Sequence, residues 1–140
     1  MPIDPAHVAR VLGGERTLGK RVRSLDDMRR LVEQGLPVQA LAQMARRVAE
    51  PALRYRVVPK ATLHRRRRLL NLEESERLER LARVTAIAED VFEDEPAAHE
   101  FLRSAQPQLG GTRPLDMARS ELGARQVEEL LMKLEYALPA

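Results

Sequence analysis

Apolar residues recur along the chain at helical spacing. Leu25, Met28, Leu31 and Val32 lie three or four positions apart, which predicts one face of a helix. Ser24 stands ahead of them as an N-cap, Asp27 occupies a capping-box position three residues on, and Gly35 ends the helix. The next helix opens at Pro37 and carries the stripe Val38, Leu41, Ala42, Ala45 and Val48, stopping before Pro51. Upstream, a short helix over residues 6–12 meets Gly13-Gly14 and gives way to the basic stretch Lys20-Arg21-Val22-Arg23. Residues 51–71 hold two short helical pieces, 52–57 and 60–67, with Pro59 opening the second. The pair Val57-Val58 has β character, but nothing nearby offers a partner strand, so no strand is expected.

Asn71 and Glu74 form a capping box at the start of the longest helix. Its first turns are polar. From Leu78 it carries two apolar stripes, Leu78, Leu81, Ala82, Thr85 and Phe92 on one side and Val84, Ile87, Ala88 and Val91 on the other. A helix apolar on two faces is buried on two faces, so it joins both halves of the chain or contributes to a dimer interface. Asp94 caps a further helix over residues 95–104 that buries Ala98, Phe101 and Leu102. The loop Gln106-Pro107-Gln108-Leu109-Gly110-Gly111-Thr112-Arg113-Pro114 follows, Pro114 opens a short helix through Arg119, and a last helix spans about 124–138. That helix presents Val127, Leu130, Leu131, Leu134 and Leu138 on one face, with Arg125, Glu128, Glu129 and Lys133 on the other. The fold class is all-α, in two units: a basic 1–71 and a helical 72–140.

Charge sharpens this division. Residues 1–70 hold 16 Lys+Arg against 6 Asp+Glu, a net of +10, and residues 71–140 hold 8 against 15, a net of −7. Two electrostatically different partners fit this asymmetry, as does mutual attraction of the halves in a dimer. The chain has no cysteine, which excludes disulfides, thiolate metal sites and cysteine nucleophiles, and fits a reducing cytoplasm. The start shows no basic-then-apolar leader, and no apolar run reaches the roughly 20 residues that span a bilayer, so a cytoplasmic protein without membrane attachment is expected.

Catalytic chemistry finds little support. His7, His64 and His99 are far apart in sequence and fit no metal-ligand spacing, and no serine sits in a nucleophile motif. The acidic run Glu89-Asp90…Glu93-Asp94-Glu95 lacks the glycine and spacing of an EF-hand and reads as a solvated helix end. Gly110-Gly111 lacks the Lys-Ser/Thr of a P-loop and follows no strand, so it reads as a tight connection. No enzyme, cofactor or metal is expected.

The segment Pro59-Lys60-Ala61-Thr62-Leu63-His64-Arg65-Arg66-Arg67-Arg68 is different. On a helix it turns Leu63 inward and presents Lys60, Thr62, His64, Arg65, Arg66 and Arg67 outward, as the second helix of a helix-turn-helix does in the major groove. The preceding piece departs from the usual pattern, with Arg56 and Val57 where an apolar residue and a glycine are common.

Arg83-Val84…Ala88-Glu89…Val91-Phe92, Phe101-Leu102, Leu109-Gly110-Gly111…Pro114-Leu115-Asp116 and Gly123-Ala124-Arg125-Gln126-Val127-Glu128-Glu129-Leu130-Leu131…Glu135-Tyr136 together resemble the toxin-binding region of Xre/MbcA/ParS-type antitoxins. Thr62-Leu63-His64-Arg65-Arg66 with Leu72-Glu73-Glu74-Ser75-Glu76-Arg77-Leu78 is similar to the Xre-like helix-turn-helix and linker of that family. The resemblance implies an antitoxin of a type II pair. Its partner would be a RES-domain toxin that destroys NAD, blocked by the C-terminal helix and tail, while the N-terminal unit binds the operon's promoter. By matching position the toxin-facing residues are Gly110, Gly111, Arg125, Glu128, Glu135, Tyr136, Leu138 and Ala140. The expected assembly is a homodimer that represses its own operon. The alternatives are a dimeric helix-turn-helix regulator with no toxin, and a partition-type adaptor with no operator.

Overall fold

A computed structural model describes residues 3–65 and 68–137. The described residues form helices joined by short connections, with no strand among them; the all-α expectation holds. In chain order they are α1 (Pro5–Val11), α2 (Gly14–Leu18), α3 (Leu25–Gln34), α4 (Val38–Arg47), α5 (Arg54–Val57), α6 (Lys60–Arg65), α7 (Leu72–Phe92), α8 (Glu95–Arg103), α9 (Pro114–Met117) and α10 (Glu121–Ala137). Single 3₁₀ turns precede α5, at Pro51–Leu53, and follow α8, at Pro107–Leu109.

Capping chemistry sets most of the starts. The Asp4 carboxylate accepts from the Ala6 N–H to open α1. The Ser24 hydroxyl accepts from the Asp27 N–H at 3.1 Å to open α3, while the Asp27 carboxylate takes the N–H of Arg23 instead of that of Ser24. At α7 the box closes in both directions: Asn71 accepts from the Glu74 N–H at 2.8 Å, and Glu74 accepts from the Asn71 N–H at 2.9 Å. Asp94 occupies the cap position of α8 but makes no side-chain cap bond.

Helix α7 is the axis of the molecule. It packs against α10, α8, α1, α3 and α5. Both predicted stripes are buried apart from Phe92, which is half-buried and stacks at a tilt on Phe101 with ring centroids 5.2 Å apart. One continuous core runs from Val8 to Leu131. Backbone bonds fasten the chain after α6 to the α3–α4 connection: Val38 donates to the Arg68 carbonyl and Leu70 to that of Leu36. The buried Ser75 hydroxyl accepts from the Leu36 N–H at 2.9 Å, tying the same connection to α7.

The structure departs from the periodic pattern at four places. Leu25 belongs by spacing to the inward stripe of α3 but is 76% exposed, because as the first helical residue it lies beyond the end of the core. Helix α2 has no counterpart in the periodicity; Gly13 in the left-handed region lets the chain restart a turn immediately after α1. Helix α10 starts three residues early, with the Ser120 hydroxyl accepting from the Gly123 N–H. Glu128, expected on the solvated face, is half-buried against Arg83 of α7.

Candidate functional site

The basic unit is α5, a two-residue turn and α6. Leu63 packs against the core as expected, and Lys60, His64 and Arg65 are exposed. Thr62 is half-buried, and its hydroxyl accepts from Arg65 Nη2 at 3.5 Å. Arg66 and Arg67 lie outside the described residues. Lys60 Nζ and the Arg54 guanidinium stand 5.7 Å and 5.3 Å from the centre of the Tyr55 ring, so this one aromatic holds two cations in place. The turn closes without a glycine: Val57 and Val58 are both fully buried, Val58 is extended, and the Arg77 guanidinium from α7 donates to the Val57 carbonyl. Arg56 points away from α6, into an ion-pair cluster with Glu50 and Asp116.

That cluster anchors the second unit. Arg113, at the end of the glycine loop, places Nη1 and Nη2 at 2.7 Å and 2.6 Å from the two Glu50 oxygens and also donates to Asp116. Hydrogen bonds to Glu50 and then Asp116 raise the Arg113 pKa beyond its already high ordinary value. Burial pushes the Asp116 carboxyl up, but the Arg113 hydrogen bond and the Arg56 charge outweigh it and the group is held low. Arg103 donates to the Val48 carbonyl at 2.7 Å, a second tie to the end of α4.

The loop itself is a closed hairpin-like turn. The Gln106 N–H donates to the Thr112 carbonyl, and the Gln106 carbonyl accepts from the Gly111 N–H. Gly110 and Gly111 have φ of +65° and +80°, and a Cβ added at either would meet nothing within 4 Å, so both are exposed and chosen for backbone conformation. On α10, Arg125, Gln126, Glu129, Met132, Lys133 and Tyr136 are exposed, and Tyr136 is 82% open to solvent. Arg125 and Tyr136 are eleven positions apart, about three helical turns, and therefore share a face. Glu135 is exposed on a different side, and Leu138 and Ala140 lie outside the described residues. Burial pushes the Glu128 carboxyl up against the opposing charge of Arg83.

Sequence reasoning missed a third arrangement. His7 and His99, 92 positions apart, converge on Glu89, which is 6% exposed rather than part of a solvated helix end. His7 Nε2 lies 2.8 Å from Oε1, His99 Nε2 lies 2.7 Å from Oε2, and Arg47 donates to both oxygens at 2.8 Å and 2.9 Å. Burial pushes the Glu89 carboxyl up, but bonds from Arg47, His99 and His7 overcome it and hold the group at about 2. Ligand atoms of Glu89, Glu95 and His99 fall within 4.8 Å of one another. Arg47 also reaches Glu95 at 3.1 Å, so the chain's own guanidinium supplies the positive charge at this cluster. The signal was in the spacing: Glu89 stands four positions after Thr85 and three before Phe92, on the first stripe of α7.

Residues 88–137 match the family model of the antitoxin Xre/MbcA/ParS C-terminal toxin-binding domain. This segment is similar to the Xre/MbcA/ParS toxin-binding domain. It contains α8, the glycine loop, α9 and α10. The chain is also 35% identical over 92 residues to an "Antitoxin Xre" of Pseudomonas putida, an alignment covering 64% of this chain and 58% of that relative. The chain thus spans a little over half the length of the curated relative it matches. The matched segment carries the exposed Arg125–Tyr136 face and, through Arg113 and Asp116, the ion pairs to α5 and Glu50. No described helix is long and apolar enough to cross a membrane.

Proposed function

We propose that the protein is an antitoxin that binds a cognate RES-domain, NAD-degrading toxin and occludes its active site. Its basic unit, residues 1–71, binds operator DNA as part of a homodimer and represses the operon, and residues 72–140 form the toxin-binding unit. The observation that carries the toxin reading is the outward face of α10, where the 82% exposed Tyr136 stands in line with Arg125 inside the toxin-binding segment. A large aromatic beside an arginine is the chemistry of an interface anchor. Gly110, Gly111 and Glu135 offer further exposed backbone and charge, and Leu138 and Ala140 follow in the sequence.

For DNA, exposed Lys60, His64 and Arg65 on α6, followed in the sequence by Arg66 and Arg67, supply phosphate and base-edge donors, and Thr62 sits among them. The protein would work in the cytoplasm, where both partners are found, and its action needs neither catalysis nor a cofactor.

The test is co-expression with the toxin encoded beside it, reading cellular NAD and growth. The full chain should preserve both, and a chain lacking residues 133–140 should preserve neither while still shifting operator DNA. Undiminished protection by the truncated chain would refute occlusion through the tail. A dimeric regulator with no toxin would bind the operator but retain no neighbouring gene product on pull-down.

A further inference from the structure

One apolar concavity opens beside the first turn of α10. It is a groove of about 730 Å³ between α3 and the first half of α7, closed at its ends by the start of α1 and the start of α10. Its floor and lips are apolar: Ile3, Leu25, Met28, Val32 and Leu72. Three of these are among the most exposed large apolar side chains described, with Ile3 at 40%, Leu25 at 76% and Leu72 at 50%. Leucines left open at the first position of two neighbouring helices are a cost unless something covers them.

We propose that a second copy of this chain covers the groove, so that the α3–α7 face is the homodimer interface. The inference rests on the homodimeric part of the function proposed above and specifies where that dimer forms. Charge selects the occupant. Elsewhere the chain segregates its charge, basic in the first half and acidic in the second, but the groove's rim holds three arginines and four glutamates contributed by α3, α7 and α10. A rim close to neutral and mixed in sign offers DNA no net attraction and gives no purchase to a strongly charged peptide, whereas a second copy turned about a two-fold axis brings both signs to meet both signs.

A polar group is also left waiting there. Arg83 lines the groove, and its Nε is buried without a hydrogen-bond partner, with the nearest Glu79 and Glu128 oxygens at 4.0 Å. Burial pushes the neighbouring Glu79 carboxyl up despite the charges of Arg83 and Arg80. Finally, the groove adjoins the basic unit: α7 begins seven positions after α6 ends, and Leu69 between them is 48% exposed. A dimer through this face joins two basic units, as a palindromic site requires.

Because the native chain has no cysteine, single cysteines report the interface directly. Leu25→Cys and Leu72→Cys, each treated with a short bismaleimide, should give covalent dimers, and Gln126→Cys on the outward face of α10 should not. Leu25→Glu, at a site already exposed, should weaken the dimer at least tenfold by sedimentation velocity with unchanged helicity. A wild-type chain that sediments as a monomer at all concentrations overturns the homodimer itself. A dimer that is linked through Gln126→Cys, or that leaves both groove cysteines unlinked, overturns this face and leaves the homodimer standing. Neither result touches toxin neutralisation, which is read separately through NAD.

Discussion

Arg113 and Glu50 meet fork to fork, two parallel hydrogen bonds of 2.7 Å and 2.6 Å between residues 63 positions apart. The pair joins the root of the glycine loop to the end of α4, and Arg56 and Asp116 complete a ring of alternating charge. Removing one carboxylate leaves two half-buried guanidinium groups sharing the other. Glu50→Gln should therefore lower stability by about 1–3 kcal/mol, read as a fall in melting temperature. In a double-mutant cycle with Asp116→Asn the losses should be less than additive; additive losses would show that the ring does not act as a unit.

Glu89 makes stability depend on acid. Its folded pKa of about 2 lies below the ordinary 4.5, so the unfolded chain binds the proton more readily. The contribution is fully present above about pH 5 and is lost as pH falls toward 2; it amounts to about 3 kcal/mol. Glu89→Gln should destabilise the protein at pH 7, by about 3–5 kcal/mol, since Arg47 loses its buried counter-charge. It should also flatten the acid limb of a melting-temperature profile. A limb as steep as that of the wild type would place the titration elsewhere.

Two glycines should respond differently to alanine. A Cβ on Gly123 would stand 1.8 Å from the Met117 carbonyl oxygen, so Gly123→Ala must push α10 off the turn after α9. A loss of about 2–4 kcal/mol in chemical denaturation is expected. Gly111→Ala meets nothing and suffers only its positive φ, about 1 kcal/mol.

On α10, an outward and an inward side chain should separate in a toxin-binding titration. Tyr136→Ala should weaken binding by about 2 kcal/mol, roughly 30-fold, with unchanged helicity. Glu128→Gln, turned toward Arg83, should leave the toxin affinity within about twofold. Equal losses would mean that the helix rotates on docking.

DNA binding should be limited by phosphate contacts from α6. Arg65→Ala should reduce the slope of log affinity against log salt by about one, uniformly across sequences, in fluorescence anisotropy. An unchanged slope would move the contact off Arg65.

Helices are legible in the sequence wherever a cap and a stripe agree. Asn71 with Glu74, Ser24 and Gly35 fix the ends of α7 and α3 because each acts through bonds within four residues. Leu25 escapes that logic, since periodicity assigns a face but not where the core ends along the axis. The Glu89 cluster is invisible in sequence for a different reason: its partners come from α1, α4 and α8, and only the packing of three helices on α7 brings them together. The Arg56–Asp116 contact is hidden likewise, although Arg56 already stands out as an odd residue in its helix. Gly110-Gly111, whose placement in a tight connection demands positive φ, has it.

Helix α7 is the shared support of the elements before it and those after it. A protease that severed this single rod would strip packing from both sets of elements, so the DNA-binding and toxin-binding activities proposed for them would vanish at one stroke. Engineering the chain by swapping its front or back for another's would face the same constraint: the graft has to bring along a matching side of that rod.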